Sequence, residues 1–356
     1  MNIITTPEMP LSPRPIIIIG AGGIVNDAHL PAYSIAGFPV AGIYDIDVAK
    51  AEHTAQRFGI PRVFKNIQEL AQQLPTDAVI DLAVPGSAIL SVLKQLPDHT
   101  AVLMQKPMGD DYAGALDILS LAREKQLTAA VNFQLRYAPY INAARHIIEQ
   151  GLIGELIDIE VNVNVYMPWH LWPFVYGLPR VEIVYHSIHY IDLVRSFFGN
   201  PAGVYAKTLG HPAMAKLSSV RSDIIMDYGN DRRASIHTAH CHRFGLRNQQ
   251  SYVWLEGTRG AIKITMGVLK DYPSGVPDAF EWIQLNDDGS PHKDGWQQVD
   301  IAGSWFPRAF IGSMAQLQRA AEGSIPTPNN SVEDAIFTMA CVEAAYRSSE
   351  RGGEKI

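Results

Sequence analysis

Three groups of residues in this 356-residue chain could do chemistry: a lysine fixed before a proline, Lys106-Pro107; a histidine pair, His186 and His189; and the cluster Gly20-Ala-Gly22-Gly23-Ile24. Pro107 confines the residue before it to extended backbone, so Lys106 should stand at a strand tip, where burial lowers an amine's pKa into a range useful for proton transfer. On a helix, Tyr185, His189 and Asp192 fall along one side, with His186 adjacent. The glycines follow four isoleucines, Ile16 to Ile19, which suit a strand buried on both faces of a parallel sheet. Gly20 permits a tight turn, and Gly22 lets the backbone approach a bulky anion. A helix starting near Gly23 would aim free N–H groups at a pyrophosphate. Val25 holds the third glycine position of this dinucleotide fingerprint, which sets helix and strand slightly further apart.

The next strand pattern, Val40 to Asp45, ends in an acid roughly 20 residues past the glycines, where it could accept both ribose hydroxyl protons. A 2′-phosphate there would face a carboxylate, at a cost of about 4 kcal/mol for unit charges 4 Å apart at an effective dielectric near 20. Ile46, not an arginine, follows, so the expected cofactor is NAD and not NADP. The competing role for Asp45 is to cap the helix beginning near Asp47.

The elements that must position these residues alternate as strand and helix up to Asn132, which specifies a parallel sheet with right-handed crossovers and a ligand site beyond the strand ends. Gly20, Asp45, Val84, Lys106 and Asn132 all fall at such ends, and Pro85-Gly86 follows Val84. From Glu155 to Val165 the pattern turns to strict alternation, and short strands with tight links follow, such as Tyr228 to Asp231 and Gly257 to Gly260. The expected fold is α/β: an N-terminal Rossmann doubly wound parallel sheet, then a C-terminal α+β domain with an open-faced, mostly antiparallel sheet. The expected boundaries are a flexible arm over 1–14, a dinucleotide-binding domain over 15–136 and a substrate-binding and oligomerisation domain over 137–356. Residues 266–304 read as irregular, and 305–322 and 332–351 as helical.

Apolar residues make up 47% of the chain and charged residues 18%, ordinary for a globular protein. A formal charge of −7 with no basic run argues against a nucleic-acid partner. Cys241 and Cys341 cannot build a disulfide framework, so a reducing, cytoplasmic setting is expected. No stretch reaches the roughly 20 apolar residues of a membrane span, and no secretory signal is visible.

Gly20-x-Gly22-Gly23-Ile24, Asp45, Gln105-Lys106-Pro107, Gly151-Leu-Ile-Gly154, Ser187-Ile-His189-Tyr-Ile-Asp192 and Ala344-Ala-Tyr-Arg-Ser348, in this order, resemble the glucose-fructose oxidoreductase, inositol 2-dehydrogenase and rhizopine-catabolism (Gfo/Idh/MocA) family. The resemblance implies that Lys106 touches both cofactor and substrate hydroxyl, that His189 is the catalytic histidine, and that one sheet face forms a homodimer or homotetramer interface. Two departures stand out. Gln105 replaces the usual glutamate beside the lysine, and Tyr185 replaces an aspartate four residues before the histidine, a group that would fix its tautomer.

The expected cofactor contacts are Gly20, Gly22, Gly23, Ile24, Asp45, Ile46, Val84, Pro85, Gln105 and Lys106. Arg136, Asn164, Tyr166, Tyr185 and His186 join Lys106 and His189 as expected substrate contacts. The aromatic insert Tyr166 to Tyr176 could form a carbohydrate wall, an interface or loop packing. Seven of the twelve histidines lie between His170 and His242, but they form no closed ligand set in sequence, and no metal is expected. The expected activity is NAD-dependent oxidation of a secondary hydroxyl of a sugar, polyol or sugar acid. The alternatives are a redox-neutral isomerase or lyase that recycles bound NAD, and a non-catalytic dinucleotide-sensing regulator.

Overall fold

The computed structural model describes residues 3–354 and 356. In chain order the elements begin with β1 (Ile16–Ile19), a π turn over Val25–His29 that runs into α1 (Leu30–Ala36), β2 (Val40–Tyr44), α2 (Val48–Phe58), α3 (Ile67–Gln72), β3 (Val79–Leu82), α4 (Gly86–Leu93), β4 (Ala101–Met104), α5 (Tyr112–Glu124) and β5 (Thr128–Val131). There follow α6 (Pro139–Glu149), β6 (Leu156–Asn164), a second π turn over Ile183–Ser187 leading into α7 (Ile188–Phe198), β7 (Gly203–Leu209), β8 (Arg221–Asp227), β9 (Arg233–Ala239), β10 (Gln250–Gly257), β11 (Gly260–Thr265), β12 (Ala279–Gln284), β13 (Gln297–Gln298), α8 (Ala309–Glu322) and α9 (Val332–Arg351). These divide between two compact units: Thr6–Ala138 with Trp305–Met339, and Met1–Thr5 with Pro139–Ser304 and Ala340–Ile356. The return of Trp305–Met339 to the first unit departs from a single boundary at 136/137.

The first unit holds a parallel sheet in the order β2-β1-β3-β4-β5. An isolated parallel bridge from Ile43 to Val63 adds a sixth position beside β2, which completes the strand order of a dinucleotide-binding sheet. All four residues of β1, β3 and β4 are buried, so a run of isoleucines and valines forms strands here and not an amphipathic helix. The returning helix α8 puts Phe310, Met314 and Leu317 into the same core as Ile16, Ile18, Tyr33 and Leu103. It approaches closely because residue 312 is glycine: a Cβ there would strike the Tyr137 side chain. Sequence reading did not foresee this return, because the apolar face of α8 does not name the sheet it packs on.

Where a loose arm is expected over 1–14, residues 8–14 are hydrogen-bonded to α8. Leu11 and Ser12 donate their N–H groups to Glu322, Arg14 exchanges two bonds with Gln318, and Glu8 pairs with Arg319. Met1 and Asn2 lie outside the described residues.

The second unit holds an eight-stranded sheet in the order β13-β12-β11-β10-β6-β9-β8-β7. Every pair is antiparallel except β6 and β9. Alternation along β6, β8, β9 and β10 buries Val161, Ile224, Ile236 and Val253 on one face. The other face exposes Tyr205 and Ile225, which are register partners on β7 and β8. The tight links after β8 and β10 are hairpins, as their residues predict. Residues 266–304 are not wholly irregular, since β12 and β13 extend the sheet there; the two-residue β13 is too short to leave a pattern.

Gly20 adopts φ 109°, and a Cβ would run into the Ala83 carbonyl, whereas a Cβ at Gly22 would meet no protein atom within 4 Å. Gly20→Ala should therefore lose about 3 kcal/mol in urea unfolding while Gly22→Ala stays within about 0.5 kcal/mol of the parent. Equal losses would show that the loop does not need the glycine at Gly20 for these reasons.

Candidate functional site

The carboxyl edge of the parallel sheet gathers the residues expected to hold a dinucleotide. Helical structure starts at Gly23, so the N–H groups of Gly22, Gly23 and Ile24 belong to a first helical turn, which lacks intrahelical acceptors. The Asn26 side-chain amide braces the loop from behind by donating to the Ala21 and Gly22 carbonyls, and it meets Thr54 on α2. Neither Asn26 nor Thr54 carries a sequence signal for this role.

Asp45 stands just beyond β2. One of its carboxylate oxygens accepts the Ala21 N–H at 2.7 Å and the other the Asp47 N–H at 2.8 Å. The capping role falls instead to Asp47, whose side chain accepts from Lys50 at the start of α2. Ile46 is 92% exposed, an apolar side chain left in solvent next to that carboxylate. Val84 is half-buried and Pro85 exposed at the end of β3, where Pro85 opens α4.

Gln105 and Lys106 follow β4. Gln105 is buried, and its Oε1 accepts the Lys106 main-chain N–H at 3.0 Å. Its Nε2 lies 3.0 Å from His29 Nε2, and His29 Nδ1 lies 2.6 Å from Asp81 Oδ2. Burial lowers the Lys106 pKa from the ordinary 10.5 to about 8. Sequence reading missed His29 and Asp81. The available signal is Asp81 itself, a lone acid inside an otherwise apolar strand, which must be answered by buried donors.

Arg136 is anchored within the first unit. Its side chain is buried and donates to the Asn329 carbonyl at 2.8 Å and to Asp334 at 2.5 Å, so it clamps the returning segment. A guanidinium read from sequence shows its charge but not which acid it meets.

In the second unit, the π turn over Ile183–Ser187 and α7 carry Tyr185, His186 and His189. His189 is buried. The Tyr185 ring packs edge-on against Phe174. His186 stacks on His240, with centroids 4.1 Å apart and planes 22° apart, and its Nδ1 lies 3.6 Å from Glu182. Glu182, fully buried, accepts from His240 Nδ1 at 3.0 Å and from the Ser187 hydroxyl at 3.2 Å. Burial pushes the Glu182 carboxyl up, but the His240 and His186 imidazoles overcome this and hold it well below the usual carboxylate range. His242 turns away to the Gly245 carbonyl, and both it and His240 lie past the end of β9.

Glu182, His186 and His240 have donor atoms close enough to invite a metal. The stacking argues against one, because an imidazole lone pair lies in its ring plane. Two nearly parallel rings cannot both aim at an ion about 2 Å from each nitrogen.

Asn164 ends β6, half-buried, and Tyr166 is exposed just beyond it. Within the aromatic insert, Trp169 is buried, meets the His186 ring edge-on and donates to the His240 carbonyl at 2.9 Å, so it is a packing residue. Phe174 and Tyr176 stay exposed.

Residues 15–133 match the model of an oxidoreductase family with an NAD-binding Rossmann fold, and residues 141–263 match the C-terminal domain of the same Gfo/Idh/MocA family. The chain belongs to the Gfo/Idh/MocA family. Among curated relatives, it is 32% identical to the glucose-6-phosphate 3-dehydrogenase of Bacillus subtilis over 153 residues, 42% of each chain. It is 22% identical to the D-apiose dehydrogenase of Rhizobium rhizogenes over 355 residues, covering 94% of this chain and 95% of that one. Among solved structures, an oxidoreductase from Agrobacterium radiobacter in complex with NAD+, L-tartaric acid and magnesium shares the fold at TM-score 0.76 and 20% identity. That match covers 96% of this chain and 98% of the other. No helix among the described residues is long and apolar enough to cross a membrane.

Because the folded-state pKa of Glu182 lies below its ordinary 4.5, the ionised carboxylate contributes stability that is present above that value and lost as pH falls below it. Melting temperature followed from about pH 7 to about pH 3 should therefore drop less steeply in Glu182→Gln than in the parent. Parallel slopes would show that this carboxylate is not held ionised.

Proposed function

We propose that this chain is an NAD-dependent dehydrogenase that oxidises a secondary hydroxyl of a sugar, polyol or sugar acid, with Lys106 and His189 handling the hydroxyl proton. The observation that carries the cofactor half of this reading is the setting of Asp45. A carboxylate offers about four acceptor sites, and main-chain N–H groups take one on each oxygen. The remaining two suit the two hydroxyls of an adenosine ribose, and the same anchored negative charge opposes a 2′-phosphate. Exposed Ile46 would cover one face of the adenine. Gly22, beside open space, would admit the pyrophosphate against the helical turn.

Bound NAD supplies the hydride acceptor. The residues do the rest. His189 takes the hydroxyl proton, and Lys106, as an ammonium, orients the oxygen and stabilises its developing negative charge. Asn164, Tyr166, Tyr185 and His186 are assigned to substrate contact, and the exposed aromatic side chains Tyr166, Phe174 and Tyr176 suit the C–H faces of a carbohydrate. Relatives named as dehydrogenases of glucose 6-phosphate and D-apiose support a carbohydrate substrate class. Exposed Tyr205 and Ile225 support a homodimer or homotetramer through the open sheet face.

Steady-state kinetics with a panel of sugars, polyols and aldonates tests the whole reading. NAD should be preferred over NADP by about 100-fold in kcat/KM, and equal use of both would remove Asp45 from its role. Lys106→Ala should lower kcat/KM at least about 100-fold while NAD affinity changes only a few fold; a variant keeping a tenth of the activity would refute the lysine assignment. With Lys106 acting as the ammonium, kcat/KM should fall as pH rises through about 8. A profile that rises through that value would make the lysine the base.

A further inference from the structure

We propose that Asp81, His29 and Gln105 form a positioning relay that sets the main chain of Lys106 at the end of β4, with His29 kept as the neutral imidazole protonated on Nδ1. This rests on Lys106 taking part in the reaction, and the ring measurement below is independent of that.

The assignment follows from which groups can only donate. A main-chain N–H has no lone pair to offer, so the Lys106 N–H at 3.0 Å identifies the Gln105 atom facing it as the carbonyl oxygen. The amide nitrogen of Gln105 must then face His29 Nε2, 3.0 Å away. An amide nitrogen donates, so His29 Nε2 must be a bare lone pair. The ring proton is left on Nδ1, which donates to Asp81 Oδ2 at 2.6 Å. The Tyr33 hydroxyl donates to the same oxygen at 2.8 Å, and burial together with Asp81 pushes its pKa well above the ordinary 10, so it stays a donor. A second amide nitrogen, Asn132 Nδ2, stands 3.4 Å from His29 Nε2. An imidazolium would present its Nε2–H to both amides.

His29, Tyr33, Asp81 and Asn132 are each at most 1% exposed, so no water competes for these bonds. The relay joins the segment after β1 to β3, β4 and the residue after β5. It ends on the peptide nitrogen of the lysine. Such a chain has no use in binding an anion at the glycine loop; its free end is the backbone that aims Lys106. A glutamate at position 105 would accept from both the Lys106 N–H and a His29 Nε2–H, which would turn His29 into an imidazolium between two carboxylates.

The test uses the intact chain labelled with [15N]histidine, the His29 signals being assigned by their loss in His29→Gln. In the parent at neutral pH, His29 should show one protonated nitrogen, Nδ1, and one bare nitrogen, Nε2; in Gln105→Glu both should be protonated. An imidazolium or an Nε2–H tautomer in the parent would overturn the relay. In kinetics, His29→Phe and Asp81→Asn should each lower kcat by about 10- to 100-fold with KM for NAD within about threefold, and the double variant should be little worse than the worse single one. Folded single variants with undiminished kcat would also overturn it. If buried variants fail to fold, the ring signals of the parent and Gln105→Glu still decide. An active Lys106→Ala would remove the lysine from the chemistry without altering the ring signals.

Discussion

Burying the Asp81 carboxylate inside a strand whose four residues are all sequestered would cost several kcal/mol unless donors reached it, and two do, from His29 and Tyr33. Both donors lie four residues apart on the first helical segment, so one acid fixes both the rotation and the height of that segment against the sheet. The loop proposed to cradle a pyrophosphate is the entry to the same segment. A further restraint on it is Gly20, pressed against the Ala83 carbonyl two residues beyond Asp81. The glycine loop and the lysine-bearing strand tip are thereby referred to one point at the end of β3.

That point was only partly legible in the sequence. Gly20, Gly22 and Asp45 could be placed because their roles are local: a turn, a close approach and a strand end at a fixed spacing. Lys106 was legible because a proline constrains its neighbour. His29 was not, since a histidine on an apolar helix face looks the same whether it meets an aspartate or a carbonyl. Its partners lie 52 and 76 residues away. The partners of Arg136 were hidden for the same reason, its acid being 198 residues away on a segment whose return to the first sheet has no local signature. Elements with strong periods, such as the alternation in β6, were legible, whereas two-residue β13 was not.

Each unit interrupts the helix that carries a buried histidine with a π turn, over Val25–His29 in one and Ile183–Ser187 in the other. A π turn admits one extra residue, which rotates everything after it relative to a regular helix. In the first unit it ends at His29 and leaves Val25, in the place of the third glycine, wholly buried. The wider turn accommodates a side chain where the fingerprint calls for none. In the second unit it holds His186, one turn before His189, so His186 faces Glu182 while α7 proceeds in its own register.

The two buried carboxylates therefore lead to different ends. Glu182 is answered by His240 and by a second imidazole stacked on it, and these two hold its carboxyl well below the usual carboxylate range against the effect of burial. Asp81 is answered by an imidazole whose far nitrogen meets only amide groups, so no second charge enters the chain of bonds. The difference bears on the lysine. A carboxylate at position 105 would sit next to Lys106 and favour its ammonium form. The glutamine keeps the same bond to the Lys106 N–H without that charge, leaving burial as the influence that sets the amine near 8. Gln105 thus separates two properties that a glutamate would join, the position of the lysine and its readiness to lose a proton.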